Sequence, residues 1–222
     1  MDLISNILND NIPSHLGNLR KLEPTDLSSN RLNDSIPSKL GNCSKLSSLF
    51  LIKNSLNGKI PKTIGNIQSN IFMDLSFKNF SGCIPHSISQ LKNVTFLDIH
   101  NNNIYGSIPN TVSGLVSLKN LYLSNNNLEE QILEGIDNCT SLTSFYAYSN
   151  NLSQTPSTSL SIWTNIFLIN LSKNILIGKL PIYLSFFEDL IFLNIGYNNL
   201  SGGIFKWITN FMKVAVVGFI QQ

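Results

Sequence analysis

The sequence predicts an α/β solenoid whose right-handed coils stack a curved parallel β-sheet along the concave face. Short 3₁₀, α or irregular segments are expected on the convex side. Three observations carry this reading. An asparagine recurs every 24 residues, at Asn6, Asn30, Asn54, Asn102, Asn126, Asn150, Asn174 and Asn198, with Lys78 in the one remaining place. An apolar residue stands two places after each position, from Leu8 and Leu32 through Ile104 to Leu176 and Leu200. A third apolar column stands three places before, from Leu3 and Leu27 through Ile99 to Leu171 and Ile195. A period held this long without insertion or deletion is the mark of stacked repeats, because one coil cannot bury its own apolar edge.

Residues 91–109, LKNVTFLDIHNNNIYGSIP, serve as the template. Leu91, Val94, Leu97 and Ile99 are spaced three, three and two, which suits a chain turning inward to a short strand rather than a helix. Asn102 follows the strand, and its amide can bridge backbone groups of neighbouring turns that no sheet partner reaches. Ile104 closes the core, Gly106 permits a left-handed backbone, and Pro109 fixes the exit. Only nine or so residues then precede the next strand, room for one short helical turn and no more.

Taken in order, the chain opens directly on a strand, with no secretory leader in residues 1–3. The second and third coils follow the template, Asp34 standing in the place of Gly106 and tolerating the left-handed region. The fourth departs at Lys78. An ammonium in an asparagine ladder is costly unless its stem carries it to solvent, so a local slip that substitutes Asn79 is expected. In the sixth and seventh coils Glu130 and Gln154 replace the glycine, and Leu133 and Ser157 the proline, so wider and less regular outer turns are expected. The eighth coil recovers Gly178 and Pro181, and the ninth keeps Gly202 but has Phe205 for proline. Phe211, Val214, Val217 and Phe219 resume the template spacing, which makes this stretch a strand start rather than a membrane span. The expected organisation is one domain over 1–222, nine repeats and the start of a tenth, with both end caps missing.

With 42% hydrophobic and only 13% charged residues, the chain can bury a long core, and a net charge of +2 gives no reason to invoke nucleic acid. Cys43 and Cys139 occupy the same core position four coils apart, roughly 19 Å at about 4.8 Å per strand, beyond disulfide reach. Cys83 lies on another edge. The histidines are His15, His86 and His100, and the first two follow prolines on the outer turn, so neither a metal cluster nor a catalytic triad assembles. No phosphate-binding loop or kinase signature occurs. No enzymatic role, cofactor or metal is expected.

The exposed sites on the concave sheet should be those four, two and one before each asparagine, where a solenoid meets its partner. Reading these columns places Asp74, Asp98, His100, Tyr122, Tyr146 and Tyr148 side by side on coils four to seven, with Lys119 and Asn170 at the rim. Aromatic residues among polar ones are enriched at binding surfaces. A purely structural tyrosine ladder, packed across neighbouring strands, is the competing reading.

The pattern LxxLxxLxLSxNxLSGxIPxxLGNL, present here as LGNLRKLEPTDLSSNRLNDSIPSKLGN and NLSGGI, resembles the plant-specific leucine-rich repeat of receptor-like kinases and receptor-like proteins. The resemblance covers essentially the whole chain. It implies the ligand-recognition part of an extracellular domain at the plasma membrane, acting in defence or development. Its partners would be a peptide, protein or small extracellular ligand and a co-receptor, with no membrane span in this chain and any kinase carried elsewhere. The alternative it allows is a soluble extracellular inhibitor of cell-wall-degrading enzymes built from the same repeat. N-x-S/T sequons at Asn33, Asn42, Asn79, Asn93, Asn138, Asn151, Asn170 and Asn199 fit an exported protein, though the repeat itself generates several of them.

Overall fold

A computed structural model describes residues 1–69, 71–132, 136, 138–203 and 216–218 of the chain. Its organising element is a nine-stranded parallel sheet, one three-residue strand per coil. The strands are β1 (Pro24–Asp26), β3 (Ser48–Phe50), β5 (Phe72–Asp74), β7 (Phe96–Asp98), β9 (Asn120–Tyr122), β11 (Ser144–Tyr146), β13 (Leu168–Asn170), β15 (Phe192–Asn194) and β17 (Val216–Gly218). Each pairs with the next at an offset of 24 residues, as in Leu97 beside Leu121. The strand at 216–218 falls in this register, pairing Leu193 with Val217. Phe205, Phe211, Val214 and Phe219 lie outside the described residues. The central residue of each of the first eight strands points inward, and Thr25, Leu49, Met73, Leu97, Leu121, Phe145, Ile169 and Leu193 are all buried.

A second parallel sheet of eight strands runs beside the first, and the sequence reading did not anticipate it. It comprises β2 (Asn33–Asp34), β4 (Ser55–Lys59), β6 (Asn79–Gly82), β8 (Asn103–Ser107), β10 (Asn127–Glu130), β12 (Asn151–Gln154), β14 (Ile175–Lys179) and β16 (Asn199–Ser201). Here the pairing offset is 22 residues, as in Tyr105 beside Asn127, so each strand is staggered by two residues on its neighbour. The signal was present in other copies of the repeat: Asn127-Leu128-Glu129 and Asn151-Leu152-Ser153 set one apolar residue between polar ones, which is the period of a half-buried strand.

Short 3₁₀ turns complete the coils, at Ser14–Asn18, Ser38–Asn42, Lys62–Asn66, His86–Gln90, Asn110–Gly114, Thr158–Ile162 and Ile182–Phe186. Six of the seven start directly after a proline whose extended backbone ends the preceding segment. The turns stack closely. A Cβ on Gly41 would sit 2.1 Å from the Thr63 carbonyl oxygen, so only glycine admits the neighbouring backbone there.

The asparagines occupy the corner between the two sheets. Asn126 Nδ2 donates to the carbonyls of Ile99 (3.0 Å), Leu123 (3.0 Å) and Ser124 (3.3 Å), while its Oδ1 accepts from Ile104 N–H at 3.0 Å. Asn102, Asn150 and Asn174 repeat this set. Asn30, which is buried, and Asn54 and Asn198, which are half-buried, make the corresponding bonds, and Asn6 donates only within its own coil. One side chain thus satisfies buried backbone groups on two coils. The residue just before each ladder position is left-handed, with φ from 52° to 56°, although it is Ser5, Ser29, Lys53, Phe77, Asn101, Asn125, Ser149, Lys173 or Tyr197 and never glycine. The hydrogen-bonded corner holds an L-residue where it is disfavoured by roughly 1–2 kcal/mol.

Two local expectations are corrected. Lys78 neither reaches solvent nor yields its place: it is 5% exposed, its Nζ lies 3.4 Å from the Asn54 carbonyl, and Asn79 stays exposed in β6. A slip would have pulled Phe80 out of the core, where it is fully buried between registered strands, and that loss exceeds the strain of one lysine. Nor is the outer turn of coil seven irregular, since Thr158–Ile162 forms a 3₁₀ turn like the others, while most of that of coil six, residues 133–135 and 137, lies outside the described residues. Glu130 and Gln154 both adopt φ 64°, in the same place where Gly106 has φ 76°, and β10 and β12 stay paired. Ser157 is buried beside a regular 3₁₀ turn, and Leu133 lies outside the described residues.

Candidate functional site

Strand residues on either side of the buried central one face the concave surface, so the site is built from columns four and six before the asparagines, continued by the column two before. The column six before, which the sequence reading passed over, contributes Phe72, Phe96 and Phe192. These combine with Phe50, Tyr122 and Tyr146 into a band of rings that runs from coil three to coil nine and skips coil eight. Centroids lie 5.3 Å apart for Phe50 and Phe72, 3.9 Å for Phe72 and Phe96, 5.3 Å for Phe96 and Tyr122, and 5.2 Å for Tyr122 and Tyr146. Phe192 follows at 6.4 Å from Tyr146. Phe72 and Phe96 are stacked at 8°, each covering a face of the other, whereas Tyr122 meets its neighbours edge to face at 90° and 62°. The signal was one column away in the sequence, since strand alternation places residues four and six before the asparagine on the same side.

A recurring hydrogen bond braces the strand ends. The side chain four before the ladder position accepts from the residue two before: Asp74 Oδ1 from Ser76 N (2.9 Å) and Oγ (2.6 Å), and Asn170 Oδ1 from Ser172 N (3.1 Å) and Oγ (2.8 Å). Asp98 does the same for His100, taking its backbone N–H at 2.9 Å and lying 2.5 Å from ring Nδ1. His100 is turned further by an edge-on contact with Phe77 at 4.6 Å. In coils six and seven this brace is lost, because Tyr122 and Tyr146 stand where the acid or amide would be. Ser124 is left 2% exposed, and its Oγ has no hydrogen-bond partner.

Asp98, His100, Tyr122, Ser124, Tyr146 and Tyr148 together line an open cleft of about 290 Å³. Five of the six residues expected from the sequence therefore meet in one place. Asp74 does not line it and lies one strand away, beside Asp98. Ser124 was missed, because a repeat serine gives no sign in sequence that its partner has been replaced. Burial pushes the Tyr122 and Tyr146 phenols up from their ordinary pKa, so both hydroxyls stay protonated at neutral pH. Tyr148 accepts weakly from Asn125 Nδ2 at 3.5 Å. Lys119 is exposed before β9, and Asn170 is half-buried on β13.

Of the sequons, Asn33, Asn79, Asn151 and Asn199 stand exposed on the second sheet, Asn42 ends a 3₁₀ turn, Asn93 is exposed beside such a turn, and Asn138 is exposed. Asn170 alone faces the concave surface. Cys43 and Cys139 are buried thiols and Cys83 is exposed, all three unbridged. Among the described residues no group of His, Cys, Asp and Glu could hold a metal ion, and no helix is long and apolar enough to cross a membrane.

Profiles described as leucine rich repeat match residues 72–128 and 189–211. The comparison with curated proteins gave no match. Among solved structures, the plant peptide hormone receptor RGFR1, in complex with RGF2, superposes with a TM-score of 0.92 at 33% identity, covering 95% of this chain and 34% of that one. The ectodomain of the membrane receptor kinase GASSHO1/SCHENGEN3 from Arabidopsis thaliana, in complex with CASPARIAN STRIP INTEGRITY FACTOR 2, gives 0.94 at 30% identity, with 98% and 26% covered. The Arabidopsis receptor kinase HAESA, in complex with the peptide hormone IDA and the co-receptor SERK1, gives 0.83 at 32%, with 90% and 34% covered. The chain is a leucine-rich-repeat protein. Its coils are of the kind that build plant receptor-kinase ectodomains, and it spans about a third or less of the length of these three.

Proposed function

We propose that this chain is the ligand-recognition part of a plant cell-surface leucine-rich-repeat receptor, one solenoid domain that holds a peptide or protein segment along its concave face. The observation that carries the reading is the aromatic band, which stays half-exposed on a sheet whose core is already filled by the leucines beneath it. Such a row offers rigid contacts at low entropic cost, spaced to meet an extended ligand lying across several coils. The similar receptors are in complex with a peptide hormone or a named factor, and one of them also with a co-receptor. By this analogy the chain acts at the outer face of the plasma membrane, in defence or developmental signalling, and contributes binding rather than catalysis.

The test uses random peptides of about twelve residues displayed on phage, selected against the full chain and re-measured on Tyr122→Ala, Tyr146→Ala and Tyr148→Ala. Binding should fall by roughly tenfold or more at a true hot spot while the melting temperature barely moves. If stability falls and the selected peptides bind all three variants as before, the tyrosines are structural and the concave reading fails.

A further inference from the structure

Coils six and seven give up a brace that coils four, five and eight retain, and what they gain is the cleft. Three features of it set the chemistry of what can enter. First, Asp98 spends only Oδ1 on the fold, receiving both His100 bonds there, so Oδ2 is left without a partner. Second, no lysine or arginine lines the cleft and its one basic side chain, His100, is already engaged by Asp98 Oδ1, so an anionic group would meet a carboxylate with no free cation to answer it. Third, Ser124 Oγ is a buried hydroxyl without a partner in its floor, a group that ordinarily costs free energy unless something completes it. Around these stand three tyrosines, and the edge-to-face packing of Tyr122 on Tyr146 leaves ring face open, unlike the stacked Phe72 and Phe96. Ring faces attract cations.

We infer that the cleft of Asp98, Ser124, Tyr122, Tyr146 and Tyr148 is a pocket for a cationic group of a peptide, a guanidinium or ammonium. Asp98 Oδ2 takes the charge, Ser124 Oγ accepts a donor N–H, and the tyrosine rings enclose the stem. At about 290 Å³ the cleft suits one side chain or a terminal amine rather than a whole ligand. The inference rests on the concave-face reading and adds the residue class the ligand must present at coils five to seven.

The full chain is titrated by NMR with five capped pentapeptides, glycines flanking a central Arg, Lys, citrulline, Glu or Leu, while tyrosine ring signals and the Ser124 amide are followed. The Arg and Lys peptides should shift these signals. Citrulline, which keeps the shape and loses the charge, should bind roughly tenfold more weakly, and Glu weaker still. Asp98→Asn should remove most of the preference of Arg over citrulline, and Ser124→Ala should weaken Arg binding severalfold. The second variant keeps the test decisive if the first perturbs His100. Equal binding of Arg and citrulline, or an Arg affinity untouched by Ser124→Ala, overturns the inference. If the Leu peptide alone shifts Tyr122 and Tyr146, the cationic pocket is wrong while the aromatic band remains a binding face; if no peptide shifts either, both readings fall.

Discussion

Coils five and six are neighbours with the same core and opposite surfaces. Beneath the sheet, Asn102 and Asn126 make the same four hydrogen bonds with nearly the same lengths. Above it, Asp98 braces His100 in one coil, and Tyr122 leaves Ser124 Oγ unpaired in the next. The difference shows which bonds the repeat can spare. Breaking the buried bridge orphans backbone groups on two coils at once, so substitution there is expensive. The strand-end brace stays within one coil, and its loss is tolerated where the surface gains something else, even though it leaves Ser124 Oγ buried and unpaired.

The largest expected effect breaks the invariant side of this comparison. Asn126→Ala removes the partner of three carbonyls and one amide and should cost about 3–4 kcal/mol in chemical denaturation. Asn127→Ala, one residue along and exposed, should stay within about 0.5 kcal/mol. Equal midpoints for the two variants would remove the ladder from the account.

Lys78 offers the natural counter-experiment, a ladder position already broken. Burial is the main cause that lowers its pKa from 10.5 to about 8, partly offset by Asp74. The folded state therefore resists protonation more than the unfolded chain does. The contribution of Lys78 to stability is most favourable above pH 10.5, falls as the pH drops toward 8, and carries the full penalty below that. Lys78→Asn should restore the bridge and stabilise the chain by about 2–3 kcal/mol at pH 7, a gain that shrinks as the pH rises through that window. A gain that did not depend on pH would mean that the restored hydrogen bonds, not the buried amine, account for it.

The exposed side is probed at Asp74, whose carboxylate holds both the backbone and the hydroxyl of Ser76 and also eases the charge of Lys78. Asp74→Ala should cost about 1–2 kcal/mol, less than the loss of a ladder asparagine, and the cost should shrink in a Lys78→Asn background. Full additivity of the two changes would separate Asp74 from Lys78.

Most of the fold was legible in the sequence because its period ties each buried position to a fixed chemistry. Leu97, Leu121 and Leu193 sit at the expected depth, and even the strand at 216–218 falls in register. Expectations failed where a single residue was judged by its own preference. Lys78 was expected to force a slip, and Glu130 and Gln154 to give wider, less regular turns, yet registered neighbours on both sides hold these three positions to the common path. The second sheet was missed for a related reason: attention to the apolar columns hid the polar alternation between them. At the site, the tyrosines and His100 could be placed from their columns. Phe96 and Phe192 were passed over by leaving out one column, and Ser124 could not be found, since its distinction is the absence of a partner that only the structure reveals.

The smallest effect separates the two kinds of serine. Ser172 donates its hydroxyl to Asn170 at 2.8 Å, so Ser172→Ala forfeits a made bond and should lower stability by about 0.5–1 kcal/mol. Ser124→Ala instead deletes a buried hydroxyl that bonds to nothing, and should leave stability unchanged or raise it by up to about 1 kcal/mol. The two substitutions are chemically identical and occupy the same place in their coils, so composition, propensity and unfolded-state effects cancel between them. Opposite signs in paired denaturation curves would mark Ser124 as a residue kept for a ligand at the expense of the fold. A loss at Ser124 equal to that at Ser172 would mean that its hydroxyl finds a partner within the protein, and the floor of the cleft would then be closed rather than waiting for a ligand.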